Sequence, residues 1–171
     1  MKIALAATVA CIALFACGCT TTVRTSPDSL SIGPAAVSHL PPRVVALANG
    51  YPSEVQQKFS TPPYTLIIEQ KQMTDTAIEM LRRALEKNPG ARGRGPAKKV
   101  VLKVRSPRAA GPYPTPGVAI TLDAQFGDGS QASVIGNGYS ARGADRSFEA
   151  ALLNALNRLL GDAHFIAYMK R

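Results

Sequence analysis

Histidines, cysteines and converging carboxylates are the usual carriers of enzymatic chemistry, and this sequence offers few of them. Its 171 residues hold two histidines, His39 and His164, and three cysteines that all fall before residue 20. General acid–base catalysis needs titratable groups brought together, and neither histidine stands in a motif. His39 lies in a Ser/Thr/Pro-rich stretch. His164 follows a helix end, where an imidazole is expected to meet terminal carbonyls. No serine occupies a G-x-S-x-G elbow and no H-E-x-x-H run occurs. With no cysteine after residue 19, the folded part has no disulfide and no thiolate metal site. The sequence therefore reads as non-catalytic, with no cofactor and no metal.

What stands out is positive charge. The formal net charge is +9, and Arg82, Arg83, Lys87, Arg92, Arg94, Lys98, Lys99, Lys103, Arg105 and Arg108 concentrate half of the 20 basic residues between positions 82 and 108, against Glu86 alone. If the helix end, loop and strand that carry them adjoin, they form a cationic face. Such a face attracts lipid phosphates, lipopolysaccharide, acidic glycans or an acidic protein. Nucleic acid is not the expected partner, because the cluster lacks interleaved aromatics to stack on bases and the chain carries an export signal. Gly136 and Gly138 do not make a dinucleotide fingerprint, since the next glycine is Gly143 and the strand before them belongs to a hairpin.

The export signal is the first segment. Lys2 supplies a positive charge, Ile3 to Phe15 carries no charge, and small residues follow from Ala16. The run is too short for the roughly 20 apolar residues a spanning helix needs, so it reads as a signal peptide. Leu14-Phe15-Ala16-Cys17 resembles the lipobox of bacterial lipoproteins, with Phe15 bulkier than the family's usual residue. The resemblance implies cleavage after residue 16 and acylation of Cys17; Ala16-Cys17-Gly18-Cys19 is an alternative register that would acylate Cys19. Several acyl chains at about 0.8 kcal/mol per buried methylene make a firm anchor. Sorting in enterobacterial lipoproteins, by the same resemblance, places a chain with no Asp after the cysteine in the outer membrane, facing the periplasm.

The elements that must position these residues follow from hydrophobic periodicity. Residues 17–42, rich in Ser, Thr and Pro, read as an extended tether, leaving 43–171 as the folded domain. Val44 to Leu47 and Tyr64 to Glu69 read as strands. Ala77, Ile78, Leu81, Ala84 and Leu85 make one helical stripe, with Thr76 and Glu79 as a capping box, predicting a helix over 75–87 stopped by Asn88-Pro89-Gly90. Lys98 to Ser106 is a strand with one wet face. Val118, Ile120, Leu122, Ala124 and Phe126 alternate as the clearest strand in the chain. Asp128-Gly129 then predicts a two-residue hairpin that pairs Leu122 with Ile135 and Val118 with Tyr139 and turns Ile135 and Tyr139 inward. Gly136 and Gly138 mark a bulge or a close backbone approach. Phe148, Ala151, Leu152, Ala155, Leu156 and Leu159 stripe a last helix ending at Gly161, and Phe165 to Met169 form an apolar tail that tucks back. The order predicts an α+β two-layer sandwich: an antiparallel or mixed sheet of about five strands with two helices on one face.

The lipobox, the Ser/Thr/Pro stretch, and the passage from Gly136-Asn137-Gly138-Tyr139 into Phe148-Glu149-Ala150-Ala151-Leu152 resemble small proteobacterial lipoproteins of the YajG type. More distantly the pattern resembles accessory lipoproteins such as the penicillin-binding-protein activator LpoB. The resemblance implies a lipid-anchored periplasmic module that binds an envelope protein complex or anionic polymer. A carrier of an anionic amphiphile, holding a lipid tail between sheet and helices, is the alternative.

Overall fold

The computed structural model describes residues 19–61, 64–87, 96–110 and 115–171. Residues 1–18, which hold the expected signal peptide and Cys17, lie outside them, as do Asn88-Pro89-Gly90, Arg92, Arg94 and Tyr113. The fold is α+β. Strands β1 (Cys19–Val23), β2 (Val45–Asn49), β3 (Gln56–Thr61) and β4 (Tyr64–Glu69) precede helix α1 (Gln70–Glu86); β5 (Lys98–Ala110), β6 (Gly117–Phe126) and β7 (Gln131–Gly138) precede α2 (Ala144–Leu160) and α3 (Ala163–Lys170). The strands divide between two sheets rather than joining one: β1-β4-β3 and β2-β5-β6-β7.

In the four-stranded sheet, Val100, Leu102, Val104, Val118, Ile120, Leu122, Ala124 and Phe126 point to one face and are buried. Helices α1 and α2 cover that face with Met73, Ala77, Leu81, Phe148, Ala151, Leu152, Ala155 and Leu156. The opposite face has no element packed over it among the described residues. β5 outlasts its expected end at Ser106 because the register shifts between Arg105 and Arg108, a bulge that accommodates Pro107, which has no N–H for the ladder. The apolar tail becomes α3, capped by Asp162, whose carboxylate accepts from His164 N and Phe165 N. Tyr168 stacks on Phe126 with centroids 5.0 Å apart, and its hydroxyl donates to the Lys99 carbonyl at 3.0 Å.

Three expectations are corrected. The first is the hairpin. Phe126 N donates to Ser130 O and Gly129 N to Phe126 O, so the loop holds three residues, with Gly129 at φ 85°. This is a type I turn closed by a left-handed glycine, one residue longer than the tight turn. Leu122 therefore pairs with Val134 and Val118 with Gly138, and a one-residue slip turns the whole returning strand over. Ile135 and Tyr139 are 54% and 67% exposed instead of buried.

The second is the tether. From Cys19 onward, residues 17–42 are not a free linker. β1 pairs in parallel with β4, and Val23, Ile32, Val37 and Leu40 are buried in the core. Backbone donors tie the segment to α2: Arg24 N to Asp145 Oδ1 at 3.1 Å and Ser26 N to Glu149 Oε1 at 2.9 Å. His39 Nε2 lies 3.1 Å from the carbonyl of Leu160. It is thus His39, not the exposed His164, that meets a helix terminus.

The third is the start of α1, which follows β4 without a break at Gln70. The free N–H groups of Lys71 and Gln72 donate to the Glu54 carboxylate at 2.9 and 3.2 Å, so an acid from the β2–β3 connection caps the helix. Thr76 lies inside the helix with its hydroxyl turned to Thr25, and Glu79 pairs with Arg82 and Arg83.

Candidate functional site

The bulge-free half of β5 sends Lys99, Val101, Lys103 and Arg105 to the uncovered face of the four-stranded sheet, since Val100, Leu102 and Val104 take the other. β6 adds Asp123 and Gln125 there, and β7 adds Gln131 and Ser133. With Gly50, all of these but Lys99 line a shallow open cleft of about 450 Å³. Arg105 spans to Asp123 through Nε and through Nη2, the latter at 3.1 Å, and Ser133 Oγ donates to the same carboxylate at 2.8 Å. Lys103 Nζ stands 4.5 Å from the Tyr51 ring centroid, a cation–π contact that fixes the ammonium at the cleft edge. The Tyr51 hydroxyl is held 2.8 Å from the Val104 carbonyl and 2.6 Å from Gln70 Oε1.

Burial pushes the Asp123 carboxyl up, but hydrogen bonds from Arg105 and Ser133 and the charges of Arg105 and Lys103 outweigh it and hold the group below its ordinary value. A carboxylate depressed in the fold contributes stability above its unfolded pKa and loses it as pH falls through the folded one. Replacing Asp123 with Asn is therefore expected to lower the urea midpoint at pH 7. The gap from the unsubstituted chain should close as pH falls below the ordinary carboxylate range of about 4; a gap independent of pH would mean that the charge has no part in it.

The eight described members of the basic cluster do not form one face. Lys99, Lys103 and Arg105 share the open sheet face. Arg82 and Arg83 lie on α1, with Lys87 just past its end, and α1 packs on the other side of the sheet. There Arg82 pairs with Glu79, and Arg83 with Glu79 at 2.9 Å and Asp28 at 2.5 Å. Lys98 turns to the edge, its Nζ 4.8 Å from the Tyr168 centroid. Arg108 is exposed beyond the bulge. The alternation rule, applied to β5 alone, separates Lys99, Lys103 and Arg105 from the rest. What the sequence does not signal is Asp123, the acid that neutralises one of the three. Lys99 and Lys103 have no ion-pair partner among the described residues.

Cys19 is exposed at the start of β1, beside Tyr64 of β4. Among the described residues, no three His, Cys, Asp or Glu side chains group closely enough to hold a metal ion, and no helix is long and apolar enough to cross a membrane. The sheet and α2 approach so closely at Gly136 and Gly138 that even a methyl group would collide, which leaves no room there for a lipid tail.

No family model matches the chain, and no curated protein matches it. Among solved structures, the crystal structure of protein XCC0632 from Xanthomonas campestris, assigned to family model DUF330, is similar. It is 17% identical, with 89% of this chain and 95% of that one aligned at a TM-score of 0.46. So loose a likeness carries no residue or activity across.

Proposed function

We infer that the chain is a lipid-anchored, non-catalytic binding module of the bacterial envelope. Acyl chains on Cys17 hold it in the outer membrane facing the periplasm, and the open sheet face docks an acidic surface of an envelope protein complex. The observation that carries the docking is the uncovered face itself. It presents Lys99 and Lys103 outside any ion pair among the described residues, Lys103 standing across the ladder from an Asp123 already bridged by Arg105, while Arg82, Arg83 and Arg105 are paired. A broad, shallow, cationic face suits a macromolecular surface better than a small ligand, which needs a concave and mostly apolar pocket.

The short distance from anchor to fold supports a membrane-apposed arrangement. Only two peptide steps separate Cys17 from the first residue of β1, a reach of at most about 7 Å. A partner would be met close to the lipid surface, not at the end of a flexible arm.

The test is crosslinking in intact envelopes followed by recovery of the chain. A discrete protein complex is expected, and a Lys99→Glu, Lys103→Glu variant should lose it about tenfold or more, with the remaining attachment falling steeply as salt rises. Recovery of an anionic polymer in its place would reassign the face to glycan or lipopolysaccharide. An unchanged complex in the variant would remove the face from the function.

A further inference from the structure

Every open sheet has edges, and soluble proteins guard them with charge, proline or bulges. Among the described strands, β3 carries Lys58, β1 is a run of threonines, and β7 carries Gln131, Ser133 and Asn137, the last with its N–H already bonded to Asn154 Oδ1 at 3.2 Å. β2 is different. Up to its last residue, Asn49, it has no charged or polar side chain and no proline, and Val44 just before it is 48% exposed.

The pairing of β2 shows which of its backbone groups are unused. Lys98 N donates to Val44 O and Gly50 N to Leu102 O, so alternate residues from Val44 to Gly50 face β5. The N–H and C=O groups of Val45, Leu47 and Asn49 then face away from the sheet. Alongside them a groove of about 250 Å³, lined by Val44, Val45, Leu47 and Leu85 with Arg43, Arg82 and Glu86 at its rim, separates β2 from α1.

Helix α1 runs antiparallel to β2. Asn49, at the end of the strand, donates to the Lys71 carbonyl at 3.0 Å and to Asp75 Oδ1 at 2.7 Å, while Arg82, Leu85 and Glu86 stand beside its beginning. The stripe of α1 next to the free edge therefore reads Lys71, Asp75, Arg82, Glu86. Reversed end to end about the point between Ile78 and Glu79, this stripe is its own charge complement. Lys71, which bridges Asp75 at 3.0 Å within the helix, falls opposite Glu86, and Asp75 opposite Arg82, which is paired with Glu79 in the same helix, so the cross-axis contacts would extend ion pairs already formed within each copy. The centre of that reversal lies beside Leu47, because the strand's ends match the helix's ends.

We propose that β2 is a homodimer interface: two copies join their β2 strands antiparallel about a twofold axis at Leu47, with the two α1 helices side by side across it. The strands would form one eight-stranded sheet through about six new backbone hydrogen bonds. α1 sits over β2 and β5, so joining edges at a strand spacing of about 4.8 Å brings the two helices to about 10 Å, ordinary packing distance. A twofold axis requires a self-complementary patch, which the charge stripe supplies. Exposed charge pairs contribute little affinity, so the strands give the attachment and the charges fix its register.

The test uses the full chain, purified in detergent, with its mass followed by sedimentation against concentration. A dimer is expected. Ala46 and Ala48 are exposed on the open face and would stand opposite each other across the axis, so Ala46→Lys with Ala48→Lys sets like charges face to face without touching the core. That variant should dissociate about tenfold or more readily while keeping its circular dichroism and thermal midpoint. Lys71→Glu alone and Glu86→Lys alone should each weaken the dimer. Mixing these two variants should restore it, because both contacts in the mixed pair then join opposite charges. A monomeric unsubstituted chain overturns the proposal, as does a dimer indifferent to the two lysines. A dimer that the lysines dissociate but the charge variants leave unchanged overturns the helix-paired register.

Discussion

Replacing Gly138 with Ala is expected to cost about 3 kcal/mol or more and to lower the thermal midpoint by about 6–12 °C. A methyl at this position would lie 2.1 Å from the Ser147 carbonyl oxygen and 2.4 Å from the Ala151 nitrogen. Gly136 is in the same situation, with the Ala151 oxygen at 2.2 Å. These are main-chain atoms of α2, so no rotamer change relieves the overlap. Either the helix lifts from the sheet or the edge strand bends away. Lifting α2 would uncover Phe148, Leu152 and Leu156, all fully buried, and a well-packed interior has no slack to take them up elsewhere. Gly33→Ala is the control, because nothing stands within 4 Å of its added methyl, and its midpoint should move by under about 2 °C. Urea or thermal unfolding of the two variants beside the unsubstituted chain decides the point. Equal midpoints for Gly138→Ala and Gly33→Ala would mean that α2 does not lie on the glycines as described.

The pair of glycines also shows what the sequence makes legible. A close backbone approach at Gly136 and Gly138 is readable from two small residues at strand spacing, and the α2 stripe from Phe148 to Leu159 is readable from its period. Both helices on one sheet face follow from there. The register of β7 is not readable. Asp128-Gly129 suits a two-residue turn and a three-residue turn alike, and the choice inverts Ile135 and Tyr139. Polar residues with buried partners hide other elements. Thr74 donates to the Gln70 carbonyl at 2.8 Å and accepts from Val104 N at 3.0 Å, and Gln70 Nε2 reaches Gln57 at 3.0 Å. These side chains make the first turn of α1 look like loop to any count of apolar spacing.

β3, with the sequence Gln-Gln-Lys-Phe-Ser-Thr, has no apolar alternation because its sheet is mostly wet. Residues 19–42 fail the same count for another reason. Their four buried apolar side chains are irregularly spaced, as befits a segment held by scattered contacts to α1 and α2 and not by a repeating face. At the candidate site, strand alternation finds Lys99, Lys103 and Arg105. The partners that neutralise Arg82, Arg83 and Arg105 come from Asp28, Glu79 and Asp123, two of them distant in sequence, so a count of basic residues overstates the free charge.

Replacing Cys17 with Ser is expected to remove the chain from the membrane altogether, an effect larger than any single change in the domain. Without the thiol no thioether to a glyceryl group can form, and the apolar leader remains attached or is trimmed elsewhere. The rival residue can be judged on structural grounds. Cys19 is the first residue of β1, pairs with Tyr64, and is followed by threonines in register with Thr65 and Leu66. Acylation there would leave no residue between the lipid and the sheet. Acylation at Cys17 leaves Gly18 as the one intervening position, and about 7 Å of chain to pass from headgroup to strand. Either anchor would keep the start of β1 close to the membrane, but only Cys17 would leave the backbone a residue in which to turn. Cys19→Ser should therefore stay in the membrane fraction with its acyl mass intact, whereas Cys17→Ser should carry no acyl mass and appear with the soluble proteins or with an uncleaved leader. Intact mass measurement of both variants reads the outcome directly. Acyl groups found on Cys17→Ser and absent from Cys19→Ser would move the anchor to the strand itself, and an unmodified wild-type chain would end the envelope reading.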